Sequence, residues 1–100
     1  MGDYKVLIMP IAKSDMSEMV DYLNKLDPQA SINTYDKIIR EIMTLQKFPN
    51  RYPHPKEESL RTKGYRILKV EKYLVFYVVK GKNVEIRRVL HEKRNYKSIL

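Results

Sequence analysis

The pattern of hydrophobic and polar positions changes along the chain and divides it into a helical first half and a β-rich second half. Tyr4 to Met9 is a short β-prone run that ends at Pro10, which predicts a first strand. From Ala12, apolar residues recur at spacings of three and four, which predicts an amphipathic helix. Its apolar stripe comprises Met16, Met19, Val20, Leu23 and Leu26, and its solvent side comprises Ser14, Asp15, Glu18, Asp21 and Lys25.

A second helix is predicted directly after the first. Asp27 is a suitable N-cap, and Pro28 suits the first helical position, where the N–H that proline lacks would have no helical partner. The helix should end near Lys47, because Pro49 disfavours helical geometry in the residue before it. Its apolar stripe comprises Ile32, Tyr35, Ile38, Ile39, Ile42 and Leu45. The two helices are therefore expected to form a hairpin.

The second half begins with a loop and continues with strands. Pro49 to Lys63 contain three prolines and no apolar periodicity, which predicts a loop of a length at which a functional role is common. The runs that follow are rich in β-branched and aromatic residues and are joined by short turns, which predicts an antiparallel meander of Tyr65–Val70, Tyr73–Val79 and Val84–Leu90. We therefore expect one α+β domain over residues 1–100, ordered strand, helix, helix and three strands. The helices should cover one sheet face and leave the other open for a site.

Charge is distributed unevenly along the chain. The net charge is +8, yet residues 1–50 hold six Lys or Arg against seven Asp or Glu, whereas residues 51–100 hold fourteen against five. This concentration predicts a positive surface that attracts a polyanion or an acidic protein. The chain has no cysteine, which excludes disulfides and thiolate chemistry, and no segment approaches the length of a membrane span. We expect a soluble, cytoplasmic protein that makes no membrane contact.

The residue types in the chain exclude several kinds of chemistry. Three glycines are too few for a glycine-rich phosphate loop, and two histidines without carboxylates at ligand spacing predict neither a metal nor a cofactor. The remaining side chains suit cleavage of a phosphodiester without a metal, which needs a base, an acid and cations on the phosphate. The densest group of them comprises Arg66, Arg87, Arg88, His91, Arg94 and Tyr96.

Strand alternation separates the members of this group. It places Arg87, Val89 and His91 on one face of the last strand and Ile86, Arg88 and Leu90 on the other. Arg88 lies between two apolar neighbours on its face, which predicts burial beneath the helices or a strand-edge position. Ordinary packing, capping or solvation also accounts for His91, Tyr96 and the loop residue His54.

The sequence resembles the RelE/ParE superfamily of type II toxins over nearly its whole length. The resemblance is carried by YKVLIMPIAKSDMSEMVDYL at the start, LDPQA at the head of the second helix, LQKFPN at its end, GYRILKVEKYLVFYVV, and the closing VEIRRVLHEKRNY. It implies a two-helix hairpin on a curved antiparallel sheet. It also implies a cognate antitoxin that wraps the toxin with an acidic or amphipathic segment.

The resemblance implies two alternative activities, and we expect the first of them, mRNA cleavage, because the basic second half clusters Arg, His and Tyr. Members similar to RelE and YoeB cleave mRNA in the ribosomal A site, which would make the ribosome and mRNA the partners of this chain. Its catalytic residues would then be Arg66 on the scissile phosphate, His91 as general acid and Tyr96 in an assisting role. Phosphate contacts would come from Arg87, Arg94, Lys56 and Lys63, and the base would be Glu57, Glu58 or Lys56. YoeB-like members have the histidine and tyrosine side by side, whereas four residues intervene here. Members similar to ParE poison DNA gyrase instead, and a third alternative is a nontoxic or nucleic-acid-binding module that keeps only the fold.

Overall fold

The protein is a helical hairpin packed on one face of a four-stranded sheet, in a computed structural model that describes residues 3–100. In chain order the elements are β1 (Lys5–Ile8), α1 (Pro10–Leu26), α2 (Pro28–Met43), a 3-10 turn (Thr44–Gln46), α3 (Glu58–Thr62), β2 (Arg66–Val70), β3 (Tyr73–Lys80), β4 (Asn83–His91) and a second 3-10 turn (Tyr96–Ser98). This order confirms the predicted α+β architecture. Within residues 3–100, no helix combines the length and apolarity that crossing a membrane requires.

The strands form a mixed sheet in the order β1, β4, β3, β2. The last three strands pair antiparallel with their chain neighbours, which confirms the predicted meander. β1 joins the outer edge of β4 in parallel, with Lys5 opposite Asn83 and Ile8 opposite Ile86. Because β1 has four residues and β4 has nine, the half of β4 beyond Ile86 has no strand on that side.

The hairpin begins and turns close to where the sequence predicts. The side chain of Asp27 accepts a hydrogen bond of 3.1 Å from the backbone N–H of Gln29, and Pro28 is the first residue of α2. Pro10, which is predicted to end the first strand, is also the first residue of α1, a position that suits proline. After Met43 the chain tightens into the 3-10 turn, so the helical path ends near the predicted position.

The sheet has a hydrophobic core on each of its faces. The core beneath the hairpin includes Ala12, Met16, Ile38, Ile42, Val75 and Tyr77. The core on the opposite face is formed by Leu60, Tyr65, Phe76, Val78 and Leu90, with Tyr96, Ile99 and Leu100 packed against it. The prediction of an open second face was therefore wrong for the centre of that face, and the prediction that residues 49–63 form a loop was wrong where they form a helix. Helix α3 lies within that segment, and its Leu60 anchors it to the second core.

The buried stripes of the helices differ in part from the predicted ones. On α2 the fully buried line passes through Ser31, Ile38 and Ile42, so Ile32 and Tyr35 lie beside it and are 55% and 40% exposed. On α1, Leu26 is exposed although it continues the apolar period, and Asp15 is buried although the pattern assigns it to solvent. The burial of Asp15 has a specific cause in the sheet.

A β-bulge in β4 changes which side chains share a face. Phe76 pairs with Arg88 and Tyr77 pairs with Ile86, so Arg87 is an extra residue with no partner on β3. As a result Ile86 and Val89 both lie in the core beneath the hairpin. The prediction that they lie on opposite faces of the strand was therefore wrong. Arg88 reaches the edge of β4 that β1 leaves free, where it is nearly buried, in agreement with the predicted strand-edge position.

Candidate functional site

Arg66, the predicted phosphate ligand, is the first residue of β2 and holds the preceding loop in place. Its Nη1 donates to the backbone oxygens of Asn50, at 3.2 Å, and of Tyr52, at 2.7 Å. These bonds satisfy two carbonyls that the proline-rich loop cannot pair in a regular element. Part of the guanidinium is therefore engaged in the structure, and a phosphate would have to bind the donors that remain.

The same loop is held by a buried tyrosine of β3. The hydroxyl of Tyr77 donates to the backbone oxygen of Pro49 at 2.6 Å, and the side chain has no exposed surface. Burial raises the pKa of Tyr77 to about 12, so the phenol keeps its proton and remains a donor at neutral pH. Tyr77 therefore connects the core beneath the hairpin to the loop.

Tyr77→Phe is expected to lower the free energy of unfolding by about 1–3 kcal/mol, because the oxygen of Pro49 loses its buried partner. Urea denaturation measures this loss, and Tyr35→Phe is the control because Tyr35 is 40% exposed. The pKa of Tyr77 is higher in the folded than in the unfolded protein. The stabilisation by its hydrogen bond is therefore complete below the unfolded pKa near 10, and it is lost as pH rises through about 12. The difference in free energy of unfolding between wild type and Tyr77→Phe should narrow from pH 10 to about 12. A constant difference would contradict the hydrogen bond from Tyr77 to Pro49 as its cause.

Tyr96 and Glu57, which the sequence places 39 residues apart, meet on the face opposite the hairpin. The Tyr96 hydroxyl donates to Oε1 of Glu57 at 3.4 Å, and Lys97 Nζ lies 3.5 Å from Oε2 of the same carboxylate. The Tyr96 ring packs on Phe76, with ring centroids 4.9 Å apart. Burial, and then the Glu57 carboxylate, raise the pKa of Tyr96. One predicted catalytic residue and one predicted base are thus in contact.

A pocket of about 470 Å³ lies beside Tyr96 and is lined by Lys56 and His54 among others. The His54 Nδ1 lies 2.7 Å from the backbone oxygen of Tyr65. A carbonyl can only accept, so neutral His54 carries its proton on Nδ1 and leaves Nε2 as an acceptor. The sequence predicts that His54 is a loop residue, and the fold places it in the lining of this pocket.

His91, the predicted general acid, ends β4 on the side of the sheet that carries the hairpin. Its ring meets the Tyr73 ring edge to face, with centroids 5.4 Å apart. The backbone N–H of Lys93 donates to His91 Nδ1 at 3.2 Å. His91 and Arg94 line one pocket together with Tyr22 and Tyr73.

The other predicted site residues lie apart from one another. Arg87 pairs with Glu85 on its own strand, with Nη2 2.7 Å from Oε1. Lys63 follows α3 and donates from Nζ to the backbone oxygen of Leu100 at 3.0 Å. Glu58 is an exposed residue in the first turn of α3. Neither of these two contacts connects Arg66 with His91 or Tyr96.

The fold separates the three predicted catalytic residues. Arg66 pairs with Tyr77 and His91 pairs with Tyr73, so the two residues are two strand spacings apart across the sheet and offset by four positions along β3. Standard strand dimensions give a separation of roughly 16 Å between their Cα atoms. Tyr96 packs on the opposite face of the sheet. The structure therefore joins Tyr96 with Glu57, and His91 with Arg94, but it does not join Arg66, His91 and Tyr96.

The side chain that sequence reasoning missed most clearly is Asp15 of α1. Its carboxylate accepts from Nε of Arg88 at 2.8 Å, from Nη2 at 2.9 Å, and from the backbone N–H of Val89 at 2.9 Å. The hydrogen bond with Asp15 raises the pKa of Arg88. Two signals were present in the sequence: Asp15 precedes Met16 and lies four residues before Met19, and Arg88 stands among apolar residues.

Comparison with known proteins agrees with this fold. The chain is similar to a protein of the chromosomal ParDE toxin–antitoxin system from P. aeruginosa, with 21% identity, a TM-score of 0.77, and coverage of 91% of this chain and 98% of that one. It is also similar to a chain of the toxin–antitoxin complex RelBE2 from Mycobacterium tuberculosis, with 20% identity, a TM-score of 0.61, and coverage of 89% and 98%. No curated protein sequence matches it significantly.

A family-model match over most of the chain shows that it is a member of the RelE/ParE superfamily of toxins, which confirms the resemblance seen in the sequence, and the similar structures share its fold. The family model described as the ParE toxin of the type II toxin–antitoxin system parDE matches residues 6–96. The chain therefore belongs to the ParE toxin family, and it is the toxin component of a type II toxin–antitoxin system.

Proposed function

We propose that this toxin acts by binding a protein target, DNA gyrase, as ParE-like members do, and that it does not cleave RNA. The observation that carries the proposal is the separation of Arg66, His91 and Tyr96 over both faces and both ends of the sheet. A metal-independent nuclease needs its base, acid and phosphate ligands within hydrogen-bonding reach of one phosphodiester. Here the centre of the second face is instead filled by an apolar core.

The proposal includes an antitoxin as the partner that neutralises the toxin. Both similar structures come from toxin–antitoxin systems. The second half of the chain holds fourteen Lys or Arg against five Asp or Glu, so an acidic antitoxin segment would be attracted to it. Neutralisation of this charge on binding would also relieve the repulsion among these cations.

One observation favours a second candidate, a ribosome-dependent mRNA endonuclease. The pocket beside Tyr96 combines a phenol held as a donor, the Glu57 carboxylate and the cation of Lys56. Those groups could supply an acid, a base and a phosphate ligand within one pocket. In this alternative Arg66 and His91 would take no part in the cleavage step.

Induction of the toxin in a bacterium, without its antitoxin, separates these activities. Within the first minutes we expect DNA breaks and a damage response, while bulk mRNA stays intact and protein synthesis continues. Cleaved mRNA and arrested translation before any DNA damage would establish the endonuclease instead. Unchanged growth, with the folded toxin present in the cells, would favour the nontoxic alternative.

Tyr96→Phe tests the two candidates at a single atom. The variant keeps the ring on Phe76 and removes only the hydroxyl that contacts Glu57. A gyrase-binding toxin should keep its growth inhibition, whereas an endonuclease using Tyr96 as the acid should lose about a hundredfold or more of its activity. Growth inhibition at matched expression, with circular dichroism to verify folding, measures the difference.

A further inference from the structure

An open pocket of about 430 Å³ lies between α1 and the end of β4, on the hairpin side of the sheet. The side chains that give it its chemistry are Tyr22, Tyr73, His91, Lys93 and Arg94. It does not include Tyr96, Glu57 or Lys56, which belong to the other pocket. It is therefore a second polar site, and the gyrase proposal does not use it.

The ring side chains of this pocket present hydrogen-bond donors. Because the backbone N–H of Lys93 donates to His91 Nδ1, neutral His91 carries its proton on Nε2 and donates from that atom. Burial, and then the neighbouring Tyr22, raise the pKa of Tyr73, which therefore stays a protonated phenol. The tautomer of the histidine and the protonation of the tyrosine both favour a ligand that accepts hydrogen bonds.

The charges around the pocket favour an anion. Lys93 and Arg94 are exposed, and neither forms an ion pair with any residue among 3–100. The Asp15 carboxylate lines the pocket too, but Arg88 and the Val89 N–H engage its two oxygens. Glu18 is the other carboxylate in the lining, and it opposes an anion. The balance of charge at the pocket is positive.

We propose that this pocket binds a phosphomonoester, with the phosphate oxygens accepting hydrogen bonds from His91, Tyr73 and Arg94. A phosphate offers three acceptor oxygens and nearly two negative charges at pH 7, which matches several donors and two cations. The apolar wall that Met19 and Val89 contribute can contact the organic part of the ligand. The phosphomonoester can be a free small molecule or the 5′ end of a nucleic-acid strand.

Titration of the purified, isotope-labelled toxin with phenyl phosphate, followed by amide chemical shifts, tests the proposal. Saturable shifts should appear at His91, Lys93 and Arg94, and phenol at the same concentrations should not produce them. His91→Leu removes one donor to a charged ligand and should weaken binding about tenfold. Shifts scattered over the surface, or an equal response to phenol, would overturn the proposal.

Three further variants separate a built site from general attraction to a basic protein. Arg94→Ala and Lys80→Ala remove the same charge, but Lys80 lies at the other end of β3, away from Tyr73. Arg94→Ala should weaken binding of phenyl phosphate and Lys80→Ala should not. Glu18→Gln should strengthen binding, because it removes the opposing carboxylate from the lining. Equal losses for Arg94→Ala and Lys80→Ala, with no gain for Glu18→Gln, would show nonspecific attraction only.

The source of the phosphomonoester is resolved with a thymidine octanucleotide that carries or lacks a 5′ phosphate. If a nucleic-acid strand is the natural source, the octanucleotide with a 5′ phosphate should bind more tightly than phenyl phosphate and produce the same chemical shifts. The octanucleotide without the 5′ phosphate should not produce them. If a free organic phosphate is the natural source, phenyl phosphate should bind at least as tightly as the 5′-phosphorylated octanucleotide. Binding of the octanucleotide that is independent of its 5′ phosphate, without saturable binding of phenyl phosphate, would contradict the proposal. These titrations contain no gyrase, so their outcome is independent of the proposed target.

Discussion

Asp15→Asn is expected to lower the free energy of unfolding by about 3–5 kcal/mol, because it leaves the guanidinium of Arg88 nearly buried and without a counter-charge. The exposed fractions of the Asp15 and Arg88 side chains are 7% and 14%. The carboxylate also accepts from the backbone N–H of Val89, which an amide would satisfy less well. Urea denaturation followed by circular dichroism measures the change.

The matched control is a second removal of one carboxylate from an ion pair. Glu71→Gln breaks the pair with Lys37, whose side chains are 49% and 48% exposed, and should cost no more than about 1 kcal/mol. Replacing both partners, with Asp15→Leu and Arg88→Met together, should cost less than Asp15→Asn alone, since no charge is then left without a partner. A loss below about 1 kcal/mol for Asp15→Asn would mean that water or another group reaches Arg88.

Asp15 satisfies a backbone donor on the edge of β4 that the short strand β1 leaves unpaired. β1 ends at Ile8, and the N–H of Met9 donates to the backbone oxygen of Ile86 at 3.0 Å. Beyond that point the N–H of Val89 faces the helices without a neighbouring strand, and the carboxylate of Asp15 accepts from it. A side chain of α1 thus replaces a strand and satisfies a buried backbone donor.

The sequence predicts the elements of this fold because each is encoded by residues close together in the chain. The Asp27–Pro28 start of α2, the apolar period of α1 and the short turns between the last strands are all local signals. The bulge at Arg87 and the burial of Asp15 depend instead on how β4 pairs with β3 and where β1 stops. Alternation along β4 alone cannot show an inserted residue.

The candidate site was predictable only in part, for the same reason. His91 and Arg94 are close in sequence and share one pocket. Arg66 lies two strands away, and its distance from His91 follows from the register of β2 and β4 on β3. The contact of Tyr96 with Glu57 depends on the path of the last residues across the second face. Resemblance to a family supplies residue types, but only strand pairing determines which of them meet.

The second core accounts for why that face of the sheet is closed. Phe76 is at its centre, with no exposed surface, and its ring meets Tyr65 edge to face at 6.4 Å and Tyr96 at 4.9 Å. Ile99 and Leu100 also pack on this core. If these contacts hold the last residues of the chain on the sheet, removal of the central ring should release them.

Phe76→Ala is therefore expected to lower the free energy of unfolding by about 3–5 kcal/mol, the range for removing a buried aromatic ring. Phe48→Ala is the matched control, because Phe48 is 59% exposed and its loss should change stability by no more than about 0.5 kcal/mol. Amide hydrogen exchange should also increase over residues 96–100 in Phe76→Ala and stay unchanged in Phe48→Ala. A cost below about 1 kcal/mol for Phe76→Ala would be too small for a ring packed between Tyr65 and Tyr96. The second face would then be open and would have room for an RNA-cleaving site.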